Sequence, residues 1–161
     1  MIAPEESLAG RVVRLMTERG LTLAVAESCT GGLIGHLLTD VPGSSRCFVG
    51  GVAAYHGRAK TALLGVPAET LRAHGSVSAE TALAMARGIR ERLDTDVGIG
   101  VTGIAGPTGG SESRPVGLVY LALVDREGRT LARREVWSGS REANKAQSAR
   151  AALALIEQHL S

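Results

Sequence analysis

Residues 21–38 constrain the fold of this chain more than any other stretch. The run 21–25 is short and aliphatic, as a buried strand requires, and Leu33, Ile34, Leu37 and Leu38 recur at the spacing of one helical face. Between them, Ala26-Glu27-Ser28-Cys29-Thr30-Gly31-Gly32 must carry the chain from strand to helix. At such a turn the first helical amides lack intrahelical partners, and paired glycines let a ligand approach the backbone closely. A hydroxyl at Ser28 can there meet an electrophile whose developing negative charge falls on those amides. A second reading competes on these residues alone: Ser28 or Thr30 caps the helix, and Gly31 and Gly32 merely tighten the turn.

The rest of the chain continues the alternation. Leu8, Val12, Leu15 and Met16 predict a helix over residues 5–19, stopped by Gly20. The helix after the central turn runs to about Asp40 and gives way to a Pro-Gly-Ser-Ser loop. Residues 48–55 predict a strand, 56–64 a helix carrying Lys60, and 67–73 a short helical piece. Ser78 is placed to cap an amphipathic helix over 79–93. A buried strand at 95–101 runs into Thr102-Gly103-Ile104-Ala105-Gly106-Pro107-Thr108-Gly109-Gly110, which is predicted to be irregular throughout. Residues 116–124 and 129–137 predict two strands joined by a hairpin turn at Asp125-Arg126-Glu127-Gly128, and 141–160 a closing helix with Ala149, Ala152, Leu153 and Ile156 inward. This order predicts an α/β fold, with helices on both faces of a mixed sheet and ligands at the Gly-rich strand ends.

Composition narrows the function. A single domain spanning residues 1–161 is long enough to bury a core without staples. The net charge of +2 comes from interspersed charges with no basic stripe, and aromatics for base stacking are scarce, so nucleic-acid binding is not expected. Cys29 and Cys47 match no metal or redox spacing, and no cluster of His, Cys or carboxylates suggests a metal. The absence of a signal peptide or a bilayer-length apolar run leads to the expectation of a soluble, cytoplasmic protein without a membrane partner.

The chemistry-bearing residues are Ser28, Tyr55, Lys60 and Thr102. Serine needs a base, and none of the four histidines lies in a recognisable triad motif, so Lys60 is the better candidate. An amine serves only when neutral, which requires burial or a neighbouring positive charge. Ala59, Ala62, Leu63 and Leu64 around Lys60 are compatible with burial, against the ordinary reading of a solvated lysine. For Tyr55 the ordinary reading is a half-buried aromatic with a wet hydroxyl. Cys29 ranks below Ser28 as nucleophile, because no Cys-His arrangement supports it. The loop 102–110 could aim several amides at one anion, and Arg114, Arg141 and Lys145 could add charge, although it matches neither a Walker motif nor Gly-x-Gly-x-x-Gly.

Taken in order and spacing, Ala26-Glu27-Ser28-Cys29-Thr30-Gly31-Gly32, Pro42-Gly43-Ser44-Ser45, Tyr55 with Lys60, Leu63-Leu64-Gly65-Val66, Val77-Ser78, Thr102-Gly103-Ile104-Ala105-Gly106-Pro107, Gly109-Gly110 and Pro115-Val116-Gly117 resemble the CinA C-terminal domain family. The resemblance implies a three-layer α/β/α sandwich, commonly a homo-oligomer, here in stand-alone form. It implies a cofactor-free amidase that converts nicotinamide mononucleotide to nicotinate mononucleotide and ammonia. By position, it implies Ser28 as nucleophile, Lys60 as base and Tyr55 as a partner that orients or relays the proton. Thr30, Gly31, Gly32, Ser45, Thr102, Gly103, Gly106 and Arg141 would contact the substrate, with the oxyanion on the amides of Thr30 to Gly32. Two residues depart from the family pattern: His56, where a small polar residue is expected, and Ser76, where alanine is usual. A nucleotide-phosphate-binding module without chemistry, and an amidase for another small carboxamide, are the alternatives.

Overall fold

The computed structural model describes residues 6–161. Five strands, β1 (Leu23–Glu27), β2 (Phe48–Ala53), β3 (Val97–Gly103), β4 (Leu118–Asp125) and β5 (Thr130–Val136), form one sheet in the order β2-β1-β3-β4-β5. β1 is parallel to both β2 and β3, whereas β4 runs antiparallel to its neighbours β3 and β5, so the sheet is mixed as expected. The three central strands are apolar on both faces and almost wholly buried, while the edge strands β2 and β5 alternate.

Among the described residues, six α-helices cover the two faces: α1 (Leu8–Glu18), α2 (Leu33–Thr39), α3 (Gly57–Leu64), α4 (Ala68–His74), α5 (Ala79–Leu93) and α6 (Arg141–Leu160). On one side, Val12 and Met16 of α1, Ile34 and Leu38 of α2 and Leu153 and Ile156 of α6 pack on Val25, Ile99 and Leu121. On the other, Leu64 of α3 and Met85 and Ile89 of α5 pack on Ala24 and Ala26. Gly98 and Gly100 let α5 settle directly on β3, because a Cβ at either position would meet the backbone of Ala86 or Ala82. No helix among the described residues is long and apolar enough to cross a membrane.

Most predicted boundaries shift by one to three residues. The predicted start of the first helix at Glu5 lies outside the described residues. The loop after β3 is shorter than expected, because Thr102 and Gly103 still pair with Tyr120 and Val119 of β4. Ser78 caps α5 as predicted, accepting the Thr81 amide at 3.2 Å.

The connection β1-α2-β2 crosses one face of the sheet, and the connection from β2 through α3, α4 and α5 to β3 returns on the other. β1 is thus the strand at which the direction of winding reverses. The crevice at its carboxyl end is where open α/β sheets take ligands.

Candidate active site

Ser28 leaves β1 at that crevice, fixed by its own amide, which donates to Val101 O at 2.9 Å. The capping reading of Ser28 and Thr30 fails. Gly32, at φ +102°, is the residue that precedes α2, and no side chain there bonds the helix. The helix start is held by the preceding residue instead. Glu27, 2 % exposed, accepts the amides of Ile34 at 2.9 Å and Gly35 at 3.1 Å, one on each carboxylate oxygen. The Ser28 hydroxyl is therefore released from capping. Gly31 also has positive φ, +60°, so the two glycines supply the left-handed backbone that folds the turn back under α2.

Lys60 enters from the opposite face of the sheet. His56 caps α3 by accepting the Arg58 amide on Nδ1, and one turn later the Lys60 side chain runs inward, 1 % exposed. Its Nζ lies 2.8 Å from Ser28 Oγ and 3.0 Å from the carbonyl oxygen of Tyr55. Burial pulls the Lys60 amine below its ordinary range; the opposing influence comes from Cys29. The Cys29 thiol is itself pushed up to about 11 by burial, so it is protonated at neutral pH and offers no anion. No carboxylate bridges Lys60 among the described residues. A neutral Lys60 can turn its lone pair to the Ser28 O–H while donating an N–H to the Tyr55 carbonyl, which is the arrangement a general base requires.

Tyr55 stands just beyond β2 and its side chain is 63 % exposed. The part of it that meets the pair is its backbone carbonyl, which also lies 3.3 Å from Ser28 Oγ. Its phenol oxygen accepts instead from Arg141 Nη2 at 3.1 Å, so the expected proton relay through the phenol has no hydrogen-bonded path here. Arg141 opens α6 and sends its other arm, Nη1, to the Gly106 carbonyl at 2.7 Å. The Gly-rich loop, Arg141 and Tyr55 thereby form one rim.

Above the turn lies a cavity of about 710 Å³ walled by Thr30, Gly31, Gly32, His36, Arg141, Glu142 and Lys145. A Cβ at Gly31 would sit 3.7 Å from Lys145 Nζ, an ordinary contact distance, so the ammonium lies against the turn. The Gly31 amide is tied to Ser28 O, whereas those of Thr30 and Gly32 donate to no acceptor among the described residues.

The remaining predicted contacts fall in three places. Thr102 and Gly103 end β3 beside Ser28, with the Thr102 hydroxyl donating to Ser76 O at 2.6 Å. Gly106 joins the rim through Arg141. Ser45 does not join it: it sits in a short 3₁₀ turn before β2, at the amino-terminal end of the parallel strands. That is about 16 Å along the sheet from Ser28, from roughly 3.3 Å per residue. Arg114 also lies elsewhere, donating to His74 O beside α4. Glu27, His36 and Asn144 have no motif of their own in the sequence.

Comparisons with known proteins agree with this fold and place the chain in a family. A CinA-like protein of Syntrophus aciditrophicus is 50 % identical over 159 residues, 98 % of this chain and 37 % of its own length. One of Synechocystis is 56 % identical over 124 residues, 77 % of this chain and 30 % of its own. The chain thus spans about a third of the length of the curated relatives it matches. The crystal structure of competence/damage inducible protein CihA from Agrobacterium tumefaciens superposes with a TM-score of 0.94 at 41 % identity, covering 98 % of this chain and 96 % of that one. The family model for the CinA C-terminal domain matches residues 5–160, and the chain belongs to that family.

Proposed function

We propose that this chain is a serine amidase that hydrolyses the carboxamide of nicotinamide mononucleotide. The observation that carries the reading is the buried pair itself, an amine that has no counter-ion among the described residues and lies 2.8 Å from a serine hydroxyl at the switch point of the sheet. Ser28 Oγ attacks the amide carbonyl carbon as Lys60 takes its proton. The negative charge passes to the carbonyl oxygen, which the amides of Thr30 and Gly32, without acceptors among the described residues, would receive. The Lys60 ammonium then protonates the departing nitrogen, the C–N bond breaks and ammonia leaves an acyl-serine. Water, deprotonated by Lys60, attacks that ester, and Ser28 regains its proton as the acid departs. Arg141 and Lys145 on the cavity wall suit the phosphate, and the exposed ring of Tyr55, whose phenol Arg141 holds, offers a flat apolar surface.

The test is ammonia release from nicotinamide mononucleotide by the purified chain, beside Ser28→Ala and Lys60→Met. Turnover that vanishes in both variants supports the reading. Saturable binding of the mononucleotide without turnover, unchanged in Ser28→Ala, replaces it with a binding module. Turnover of a different carboxamide keeps the mechanism and moves the substrate.

A further inference from the structure

Arg141 is exposed, yet both arms of its guanidinium have defined partners, Gly106 O and the Tyr55 phenol. A long side chain at a helix start has rotamer freedom to lose, so something must fix the acceptor it reaches. The Gly106 carbonyl belongs to an irregular loop, and the residue before it is held from α6. Asn144, 1 % exposed, donates its side-chain amide to Ala105 O at 3.0 Å and accepts the Gly139 amide on Oδ1 at 3.0 Å. Asn144 is itself fixed, because its backbone carbonyl accepts from Ser148 Oγ at 2.7 Å, and Ser148 in turn accepts from Trp137 Nε1 at 3.0 Å. Side chains and backbone therefore link Asn144, Ala105, Gly106, Arg141 and Tyr55 in sequence. The last member's carbonyl touches both Ser28 Oγ and Lys60 Nζ.

We propose that Asn144 is a positioning residue of the site: by holding Ala105 it sets the Gly106 carbonyl, hence the Arg141 fork and the Tyr55 segment against which Ser28 and Lys60 are aligned. This rests on the reading of Ser28 and Lys60 as the reacting pair. Asn144 touches neither of them, and the proposal routes its effect through Arg141 rather than back along the strand to Thr102. A residue that merely stabilised the fold would act in any background.

The test is a double-mutant cycle on turnover of nicotinamide mononucleotide, with thermal unfolding measured on the same proteins. Asn144→Ala removes both side-chain bonds, and loss of the one to Ala105 lowers kcat/KM about tenfold, the scale of a single hydrogen bond. The same substitution made on top of Arg141→Ala lowers it less than about twofold, while the fall in Tm is equal in both backgrounds. Asn144→Asp supplies a second readout: the introduced carboxylate can still accept from Gly139 but donates to Ala105 only when protonated. Its activity relative to the parent therefore recovers as pH falls. An equal loss of kcat/KM with and without Arg141, or an activity ratio for Asn144→Asp that is flat with pH, overturns the proposal. Should the parent not turn over the mononucleotide, the functional reading fails separately, and the cycle is read on the rate at which a fluorophosphonate labels Ser28. Coupling to Arg141 in that rate upholds the positioning role, and its absence overturns it.

Discussion

Replacing Lys60 with methionine should produce a protein that is nearly inactive in the proposed reaction and slightly more stable. The lysine stem is buried and its amine has only neutral partners, so the folded state carries the cost of desolvating a group that prefers to be charged. Methionine fills much of the same space with a side chain that carries no such cost. The two hydrogen bonds lost would be worth about 0.5–1.5 kcal/mol each. Part of this is regained, because Ser28 Oγ lies 3.3 Å from the Tyr55 carbonyl and can donate to it alone. We expect a net gain of about 1 kcal/mol at pH 7, or a Tm about 2–4 °C higher for a chain of this size. Activity should fall by about 10²–10⁴ for loss of the general base. The gain also depends on pH. The folded Lys60 amine lies below its unfolded value, so between those two values the unfolded chain binds the extra proton, and the parent gains stability as pH rises. The advantage of Lys60→Met is therefore greatest below the folded value, shrinks through that window and is smallest above the ordinary lysine range. Urea unfolding of both proteins from pH 6 to pH 11 measures it. A variant less stable than the parent by the same amount at every pH would refute the claim that Lys60 is held neutral at a cost.

Other perturbations separate the parts of the site. Glu27→Gln replaces one capping carboxylate oxygen with a donor facing the Gly35 amide, and should cost about 1–3 kcal/mol in urea unfolding, with turnover lowered as the turn loosens. Cys29→Ala should keep kcat within about threefold, and the native thiol should resist iodoacetamide at pH 8, because its buried sulfur stays protonated. Lys145→Met should raise KM for nicotinamide mononucleotide about tenfold and leave that for the unphosphorylated riboside unchanged, a difference that added salt should narrow.

Much of the fold is legible in residue periodicity. The alternation of aliphatic runs with 3.6-residue patterns identifies the layers, and Gly-rich strand ends mark the crevice. The strand end at Thr102 is not legible, because glycines that suggest a loop also serve where a neighbouring backbone packs closely, and β4 continues the pairing through Gly103. Ser28 and Lys60 can be nominated by chemistry, but their meeting depends on two crossovers on opposite faces of the sheet. Tyr55 shows the limit most clearly, since a tyrosine attracts attention through its phenol, while here its backbone carbonyl makes the contact. Glu27 is equally hidden, because a charged residue inside an apolar strand end gives no sign of which amides it will satisfy.

The reach of the contacts that build the rim also bears on how the protein folds. Ser28 and Lys60 are 32 residues apart, Arg141 and Gly106 are 35 apart, and Arg141 and Tyr55 are 86 apart. None of these closures is local, so each becomes favourable only after the loop entropy between its ends has been overcome. Ser28 follows β1 and Lys60 lies on α3 just after β2, so these two strands must first register, and the Arg141 clasp waits for α6, the last helix in the chain. In refolding, recovery of activity should therefore lag the recovery of helical signal. The site is a late product of the folding reaction, and competence for chemistry reports completion of the whole sheet and both its covering layers.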